Sequence, residues 1–309
     1  MSIDELNELV RNGGIDEFIR VCEAAQTKEL SKVADTVVSI PGARLVLVSG
    51  ASSAGKTTAA KRLCTQLRVN GAEALHMSTD DYFVGNSRNP RDENGAFDYE
   101  TVEAVDSARL SADICALLSG DAVHLRRFDF AVHEGFDAEA PSRLRPGAFV
   151  VLEGLHALNP VLTAGVDDGC KFRMFVEPKT QVEVFARTRL RPADARFMRR
   201  LVRDNQFRKL SPVETFEMWP KVVAGERKWV DPFRPLAAVE FDSGLEYELA
   251  VLKPYVAGLL VTITMKRGAD AVMPAALLRM LSLVHEARSA VVPGDSILRE
   301  TIGGSALEY

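Results

Sequence analysis

Eight consecutive residues carry the strongest chemical signal in the sequence. They read Gly50-Ala51-Ser52-Ser53-Ala54-Gly55-Lys56-Thr57, that is, a glycine, four residues, and then glycine, lysine and threonine. Glycines let a backbone turn its N–H groups inward around an anion, at the positive end of a following helix. The lysine supplies a mobile charge for the β- and γ-phosphates, and the threonine hydroxyl is a ligand for Mg²⁺. The spacing predicts a nucleotide-binding loop formed by Gly50, Ala51, Ser52, Ser53, Ala54, Gly55, Lys56, Thr57 and Thr58.

The sequence on either side of this loop supports the same interpretation. An apolar run over residues 45–48 ends just before Gly50, and a helical pattern over 58–67 begins just after Thr57. A strand, a glycine-rich loop and a helix in this order are the context that a phosphate-binding loop requires. The alternative is a glycine-rich turn that binds no ligand.

Acidic residues follow two other predicted strands. Asp80 comes after the strand 72–77, and Glu153 comes directly after the strand 148–152. Open α/β sheets bind their ligands at the carboxyl ends of the strands. A carboxylate there can hold Mg²⁺ opposite Thr57, and another can accept the proton of an attacking alcohol. We assign the base role to Asp80 and the metal role mainly to Glu153, with a helix cap or turn and a solvated strand end as the respective alternatives.

Short apolar runs alternate with helical patterns across the middle of the chain. Fully apolar runs bounded by glycine suit strands that are buried on both faces of a parallel sheet. The predicted strands are 45–48, 72–77, 122–125, 148–152, 172–176 and 238–241. Strands alternating with helices predict an α/β fold with a doubly wound, mostly parallel sheet.

Helical segments are predicted at both ends of the chain. Ser2 and Glu5 have the spacing of a capping box, and Gly13-Gly14 separates two helices within residues 1–39. Another apolar helical pattern lies beyond residue 254. The predicted organisation is an N-terminal helical segment over 1–40, a central domain over 41–253 and a C-terminal helical extension over 254–309.

An arginine-rich stretch on predicted helix lies outside the strand and helix alternation. Its members are Arg187, Arg189, Arg191, Arg196, Arg199, Arg200, Arg203 and Arg208. Taken alone, such a cluster is interpreted as a solvated helical face or as a nucleic-acid patch.

The composition narrows the function classes. The 309 residues carry a formal net charge of -5 with a pI of about 5.7, which argues against nucleic acid as the main partner. The four cysteines are scattered and predict neither a disulfide framework nor a zinc site. The acidic residues Asp4 and Glu5 stand where a secretory signal peptide would carry positive charge. No apolar run approaches the roughly 20 residues that span a bilayer. We therefore expect a cytoplasmic protein with no membrane partner.

These motifs together resemble one family. Over residues 44–243 the chain is similar to the uridine–cytidine kinase and phosphoribulokinase family of P-loop kinases, and as a whole it looks similar to bacterial uridine-kinase-like proteins. The features that carry the resemblance are Gly50–Thr58, Thr79-Asp80-Asp81-Tyr82-Phe83, Phe97-Asp98, Phe128-Asp129-Phe130-Ala131-Val132-His133, Val151-Leu152-Glu153-Gly154 and Arg199-Arg200-Leu201-Val202-Arg203-Asp204. The resemblance implies that residues 41–253 form a P-loop kinase domain with an arginine-rich helical lid over roughly 187–230.

The resemblance also implies roles for individual side chains. Asp80 would be the general base, contacting both a nucleoside 5′-hydroxyl and Mg²⁺, and Asp98 would hold the ribose hydroxyls. The positions that line the base pocket are Phe83, Phe128 and His133. The arginines that close on the phosphates are Arg200, Arg203 and Arg208. Taken alone, His133 would be interpreted as a structural histidine and Asp98 as the cap of a helix over 99–110.

Two positions depart from the pattern of the family's nucleoside kinases. Leu210 stands where an arginine near the substrate is usual, and Phe128 stands where a tyrosine is common. Sites that hydrogen-bond their substrates discriminate strongly, because an unmatched polar partner is costly. Both departures therefore leave the identity of the acceptor open.

The sequence predicts an enzyme that uses Mg²⁺ and ATP or GTP to phosphorylate the 5′-hydroxyl of uridine or cytidine. A kinase of another polyol, sugar or sugar phosphate is the alternative within the same chemistry. A non-catalytic nucleotide-binding regulatory protein is the alternative from a different class, although a pure binder would not need Asp80 as a base. The terminal helices either pack on the kinase core or form the interface of a homo-oligomer.

Overall fold

The central element of the fold is a five-stranded parallel sheet. A computed structural model describes residues 1–93, 95–130, 132–180, 182–185 and 188–308. The strands are β1 Leu45–Gly50, β2 Ala74–Ser78, β3 Arg126–Asp129, β4 Glu134–Asp137, β5 Phe149–Glu153, β6 Lys171–Glu177, β7 Glu183–Phe185, β8 Thr188–Arg189 and β9 Val239–Asp242. The sheet has the order β2-β5-β1-β6-β9, and all its neighbouring strands are parallel. The chain therefore has the predicted α/β fold.

Five of the six predicted strands are confirmed, and each belongs to this sheet. Every residue of β1 and β5 is buried, as expected for apolar runs covered on both faces. The prediction of a strand over 122–125 is wrong, since only Val123 makes an isolated bridge there, to Ser142. The next strand is β3, which forms an antiparallel hairpin with β4. This hairpin was missed because its partly exposed strands contain charged residues and no continuous apolar run.

Helices cover both faces of the sheet. They are α1 Ile3–Arg11, α2 Ile15–Ser39, α3 Lys56–Val69, α4 Ser107–Ser119, α5 Pro192–Phe207, α6 Pro212–Trp229, α7 Glu248–Arg267, α8 Val272–Ser282 and α9 Arg299–Ile302. The two N-terminal helices and the capping box between Ser2 and Glu5 are confirmed. Successive side chains of a strand point to opposite faces. Accordingly Val46 and Val48 of β1 pack with α2 and α3, while Leu45 and Leu47 pack with α4.

A separate apolar core joins the terminal helices to the arginine-rich region. Leu6 of α1 and Ile19 of α2 belong to it, together with Phe197 of α5, Leu260 of α7 and Leu281 of α8. Helices α5, α6 and α7 contact one another, and α7 contacts α8. The N-terminal and C-terminal helices therefore pack on the lid region of this same chain. The predicted limit of the central domain at residue 253 lies within α7.

Helix α7 is the most apolar long helix among the described residues. The segment Glu248–Asp270 is long and apolar enough to cross a membrane, contrary to the expectation that no such stretch exists. A core helix of a folded domain meets the same criterion. Here the helix packs against α5, α6 and α8, and Val256, Leu260 and Ile263 are fully buried.

One arginine of the predicted cluster contacts α7 in the core of the lid and terminal helices and does not contact the predicted phosphate-binding loop. Arg199 on α5 is 2% exposed, and its Nε and Nη2 donate to the two carboxylate oxygens of Glu248 on α7, both at 2.6 Å. Its Nη2 also donates to the Ser243 carbonyl at 2.9 Å. Removing one partner of a buried ion pair leaves the other charge uncompensated. Arg199 is therefore a structural residue that fixes α5 against α7.

We expect Arg199→Ala to lower the free energy of unfolding by about 3–5 kcal/mol, because Glu248 would remain buried without its partner. Urea unfolding followed by circular dichroism measures this loss. Arg20→Ala is the control, since Arg20 of α2 is 61% exposed and pairs with Glu17, which is 70% exposed. That variant should lose less than about 1 kcal/mol. Equal losses in the two variants would contradict the structural role of Arg199.

Candidate active site

Two glycines shape the predicted phosphate-binding loop. A Cβ on Gly50 would lie 2.2 Å from the Val176 carbonyl oxygen, so only glycine allows β1 to end this close to β6. Gly55 has φ +86°, and a Cβ there would lie 2.5 Å from Cγ2 of Ile297. Helix α3 begins at Lys56, directly after this left-handed residue. The loop therefore lies at the N-terminus of α3, where backbone N–H groups and the helix dipole favour an anion.

Lys56 lies at the centre of the predicted site. Its Nζ donates a hydrogen bond to the Ala51 carbonyl at 3.0 Å. Burial lowers the pKa of the ammonium, whereas the carboxylates of Glu153, Asp80 and Glu300 act in the opposite direction. The structure therefore brings together three groups that the sequence assigned to one reaction, namely Lys56, Asp80 and Glu153.

The two carboxylates come from neighbouring strands. Asp80 lies in a 3₁₀ turn, Thr79–Tyr82, directly after β2, and its N–H donates to the Ser78 hydroxyl at 3.2 Å. Ser78 Oγ donates in turn to Oε1 of Glu153 at 2.8 Å. Glu153 is 4% exposed, so it is not a solvated strand end. Burial and, next, the negative charge of Asp80 raise its pKa to about 7. Ser78, which neither motif singled out, thus joins both acidic positions.

Arginines of α5 lie over the loop. Arg196 donates to the Ser52 carbonyl at 3.0 Å, and Arg200 donates to the Ser52 hydroxyl at 2.9 Å. Arg203 pairs with Glu300 at 2.9 Å. This placement agrees with the predicted lid over the phosphate-binding loop. Arg187 of the predicted cluster, like Ala131 of the aromatic motif, lies outside the described residues.

Asp204 is the common partner of the lid arginines. This fully buried carboxylate lies 3.1 Å from Nε of Arg200 and 3.4 Å from Nη1 of Arg208. The nearby positive charge of Arg203 lowers the pKa of Arg208 to about 10, and burial acts in the same direction. Three arginines therefore crowd around one carboxylate, and this excess of positive charge suits a polyanionic ligand.

Aromatic side chains form the side of the site predicted to hold the acceptor. The ring centroid of Phe83 lies 5.6 Å from that of Phe128 and 5.8 Å from that of Tyr99. Tyr99 stacks on His133 at 6.2 Å, and its hydroxyl lies 3.4 Å from Nδ1 of His133. The three pocket residues named from the sequence, Phe83, Phe128 and His133, therefore belong to one cluster, which Tyr99 links.

Asp98 lies in the loop that leads to this aromatic cluster. It accepts a hydrogen bond from the Glu100 N–H at 3.2 Å. The alternative interpretation of Asp98 as a helix cap is wrong, because α4 begins at Ser107 and its cap is Asp106. Asp98 is partly exposed, so its carboxylate remains accessible to a ligand.

Several charged residues of the site were missed in the sequence. Glu226 of α6 accepts from the Ser52 N–H at 2.8 Å and pairs with Arg196 at 2.7 Å. Burial raises the pKa of Glu100 to about 7, against the effect of Arg200. Glu100 packs closely on α6, where a Cβ on Gly225 would lie 2.7 Å from Cβ of Glu100. No local motif could reveal these contacts, since Ser52 and Glu226 are 174 positions apart.

The family model described as "Phosphoribulokinase / Uridine kinase family" matches residues 45–244. A uridine kinase of Deinococcus deserti is 31% identical over 198 residues, which are 64% of this chain and 86% of the relative. A uridine kinase of Chloroflexus aurantiacus is 27% identical over 67% of this chain and 90% of the relative. A uridine kinase of Tolumonas auensis is 25% identical over 72% and 98%, respectively.

The matched region contains the main parts of the candidate site. It spans β1 to β9 and includes the loop at Gly50–Lys56, Asp80, Glu153 and the arginines of α5. Glu300 lies beyond it. With most of the chain covered by this match, the protein belongs to the phosphoribulokinase and uridine kinase family and is a P-loop small-molecule kinase.

Proposed function

We propose that the protein is a cytoplasmic, Mg²⁺-dependent kinase that transfers the γ-phosphate of ATP or GTP to the 5′-hydroxyl of uridine or cytidine. The observation that carries this proposal is the Lys56 ammonium, which donates to the Ala51 carbonyl of the loop and whose pKa burial lowers while the charges of Glu153 and Asp80 act to raise it. A net charge of -5 supports a small-molecule partner over nucleic acid.

Thr57, Asp80 and Glu153 would hold the Mg²⁺ ion. A hydroxyl and two carboxylates are the oxygen ligands that Mg²⁺ prefers, together with nucleotide phosphates and water. The residues fit the ion because burial and, next, the repulsion between Glu153 and Asp80 raise the pKa of Glu153 to about 7. A divalent cation would relieve that repulsion. When bound, the ion would offset the negative charge of the nucleotide phosphates.

The side chains of the candidate site would divide the reaction among them. The loop amides and Lys56 would bind the β- and γ-phosphates. Asp80 would orient the acceptor hydroxyl for in-line attack and accept its proton as the new P–O bond forms. Arg200 and Arg203 would stabilise the negative charge of the transferring group and exclude water when the lid closes.

The acceptor side favours a nucleoside. Phe83, Phe128 and His133 would hold a flat base within the aromatic cluster, and Asp98 would accept hydrogen bonds from ribose hydroxyls. The three relatives named above are uridine kinases. Arg208, which pairs with Asp204, would add positive charge for binding the phosphates.

Another polyol, sugar or sugar phosphate is the second candidate acceptor. The observation that favours it is that two positions near the site, Leu210 and Phe128, carry side chains that cannot form hydrogen bonds. Leu210 offers only its backbone, whose N–H donates to the Asp204 carbonyl at 3.1 Å. Phe128 is 8% exposed and packs on the rings of Phe83 and Phe130, so it presents no hydroxyl to a base. Two hydrogen bonds typical of nucleoside recognition are therefore replaced by apolar groups.

The raised pKa of Glu153 gives a stability prediction for the nucleotide-free protein in EDTA. Between the ordinary pKa of 4.5 and about 7, the folded state keeps a proton that the unfolded chain has released. Stability therefore falls as the pH rises through this window. Glu153→Gln should remove this loss and stabilise the protein at pH 8 by about 2–3 kcal/mol, with little change at pH 4.5.

Urea unfolding at the two pH values measures this effect. Glu139→Gln is the control, because Glu139 is an exposed glutamate away from the site. If the free energy of unfolding changed with pH in the same way in the Glu153→Gln variant and the wild type, the raised pKa of Glu153 would be contradicted.

We expect Asp80→Asn to lower turnover by about 10²- to 10⁴-fold while ATP binding stays close to that of the wild type, because the base is lost and the loop is kept. Lys56→Ala should weaken nucleotide binding as well as turnover. The matched control is Asp81→Asn, since Asp81 pairs with Arg127 at 2.7 Å and has no assigned part in transfer. Near-normal turnover of the Asp80→Asn variant would remove Asp80 from its role.

An ADP-release assay over nucleosides, polyols and sugar phosphates tests the acceptor. We expect a signal with uridine or cytidine. A signal with a non-nucleoside alone would select the second candidate. ATP binding with no release in the presence of any acceptor class would favour a non-catalytic nucleotide-binding regulatory protein.

A further inference from the structure

The C-terminal extension brings a carboxylate into the candidate active site. Glu300 lies in α9, beyond residue 244, where the family match ends. Its Oε1 accepts a hydrogen bond from Nη1 of Arg203 at 2.9 Å, and its Oε2 accepts one from the Thr58 hydroxyl at 3.4 Å. Glu300 therefore connects α3, which follows the phosphate-binding loop, with the lid helix α5.

The segment that carries Glu300 is firmly held. We call residues 293–308 the C-terminal strap. Ile297 is 1% exposed and contacts the loop at Gly55, and Ile302 is buried in the core of the lid and terminal helices. Arg299 donates to the carbonyls of Pro293 and Gly303 within the strap. Because the residues on both sides of Glu300 are fixed, its carboxylate is a rigid partner for Arg203.

The charges around Glu300 explain why Arg203 needs such a partner. Arg203 lies close enough to Arg208 to be the main cause of the lowered pKa of Arg208, and Arg200 acts on Arg208 in the same direction. An arginine among like charges gains by turning toward solvent, unless a carboxylate holds it. The Glu300 pair is largely shielded from water, with side-chain exposures of 16% for Glu300 and 14% for Arg203.

We propose that Glu300 is a positioning residue, which holds Arg203 in the orientation that receives the nucleotide phosphates. Glu300 accepts from Nη1 of the Arg203 guanidinium at 2.9 Å, and Asp204 Oδ1 lies 3.8 Å from its Nε. The second terminal nitrogen, Nη2, is the donor that this arrangement leaves for a phosphate oxygen. The inference rests on the proposed kinase function, and it gives the C-terminal strap a part in the site.

Binding of Mg²⁺·AMP-PNP, measured by titration calorimetry, tests this inference. Glu300→Gln keeps the shape of the side chain and removes its charge, so we expect about tenfold weaker binding. Asp295→Asn is the matched control on the same strap, because Asp295 is 55% exposed and its charged neighbour is Arg62 at 4.0 Å. That variant should bind AMP-PNP like the wild type. The melting temperature of each variant is measured alongside.

A double-mutant cycle separates positioning from a structural role. In an Arg203→Ala background, Glu300→Gln should cause no further loss of AMP-PNP affinity. An equal loss in both backgrounds would overturn the inference, and so would tighter binding by Glu300→Gln, which would show that the carboxylate competes with the phosphates. An unchanged affinity of the Glu300→Gln variant would contradict the inference about Glu300 and leave the proposed kinase function intact. If the wild type bound neither AMP-PNP nor ADP, both the inference and the proposed function would be wrong.

Discussion

The site depends on a partly buried lysine whose positive charge is favoured by nearby carboxylates. Burial disfavours the charged form of Lys56, and Glu153, Asp80 and Glu300 favour it. Electrostatic interactions strengthen when water is removed, so each of these charges acts more strongly here than it would on the surface. Two close backbone approaches make the arrangement feasible. One is Gly50 against the Val176 carbonyl, and the other is Gly154, where a Cβ would lie 1.8 Å from Oγ1 of Thr79.

Local sequence signals were sufficient for the sheet and for the centre of the site. Apolar runs such as β1 need burial on both faces, and the glycine–lysine–threonine spacing needs the end of a strand and the start of a helix. The antiparallel hairpin of β3 and β4 gave no comparable signal, because its residues face both solvent and protein. The contacts of Glu226 and Glu300 were also beyond prediction. Each joins residues about 100 or more positions apart, and side-chain pairing over such separations leaves no periodic pattern.

The arginines of α5 divide according to their tertiary partners. Arg196, Arg200 and Arg203 are separated by four and three positions, so they lie on one face of the helix, which meets the phosphate-binding loop and the strap. Arg199 follows Arg196 by three positions and precedes Arg203 by four, so it lies at the edge of the same face, yet it pairs with Glu248 of α7. Spacing along the helix therefore could not separate Arg199 from the other arginines. Only the position of α7 shows that Arg199 is buried against protein.

The shared core of the lid and the terminal helices has a consequence for biosynthesis. The loop at Gly50–Lys56 leaves the ribosome before α7, α8 and the strap. Elements that are translated early must wait for the later elements against which they pack. The apolar sides of α5 and α6 that contact α7 therefore stay uncovered until α7 has been made. Because Ile297 of the strap lies against Gly55, the loop itself also reaches its final surroundings only after the strap has been synthesised.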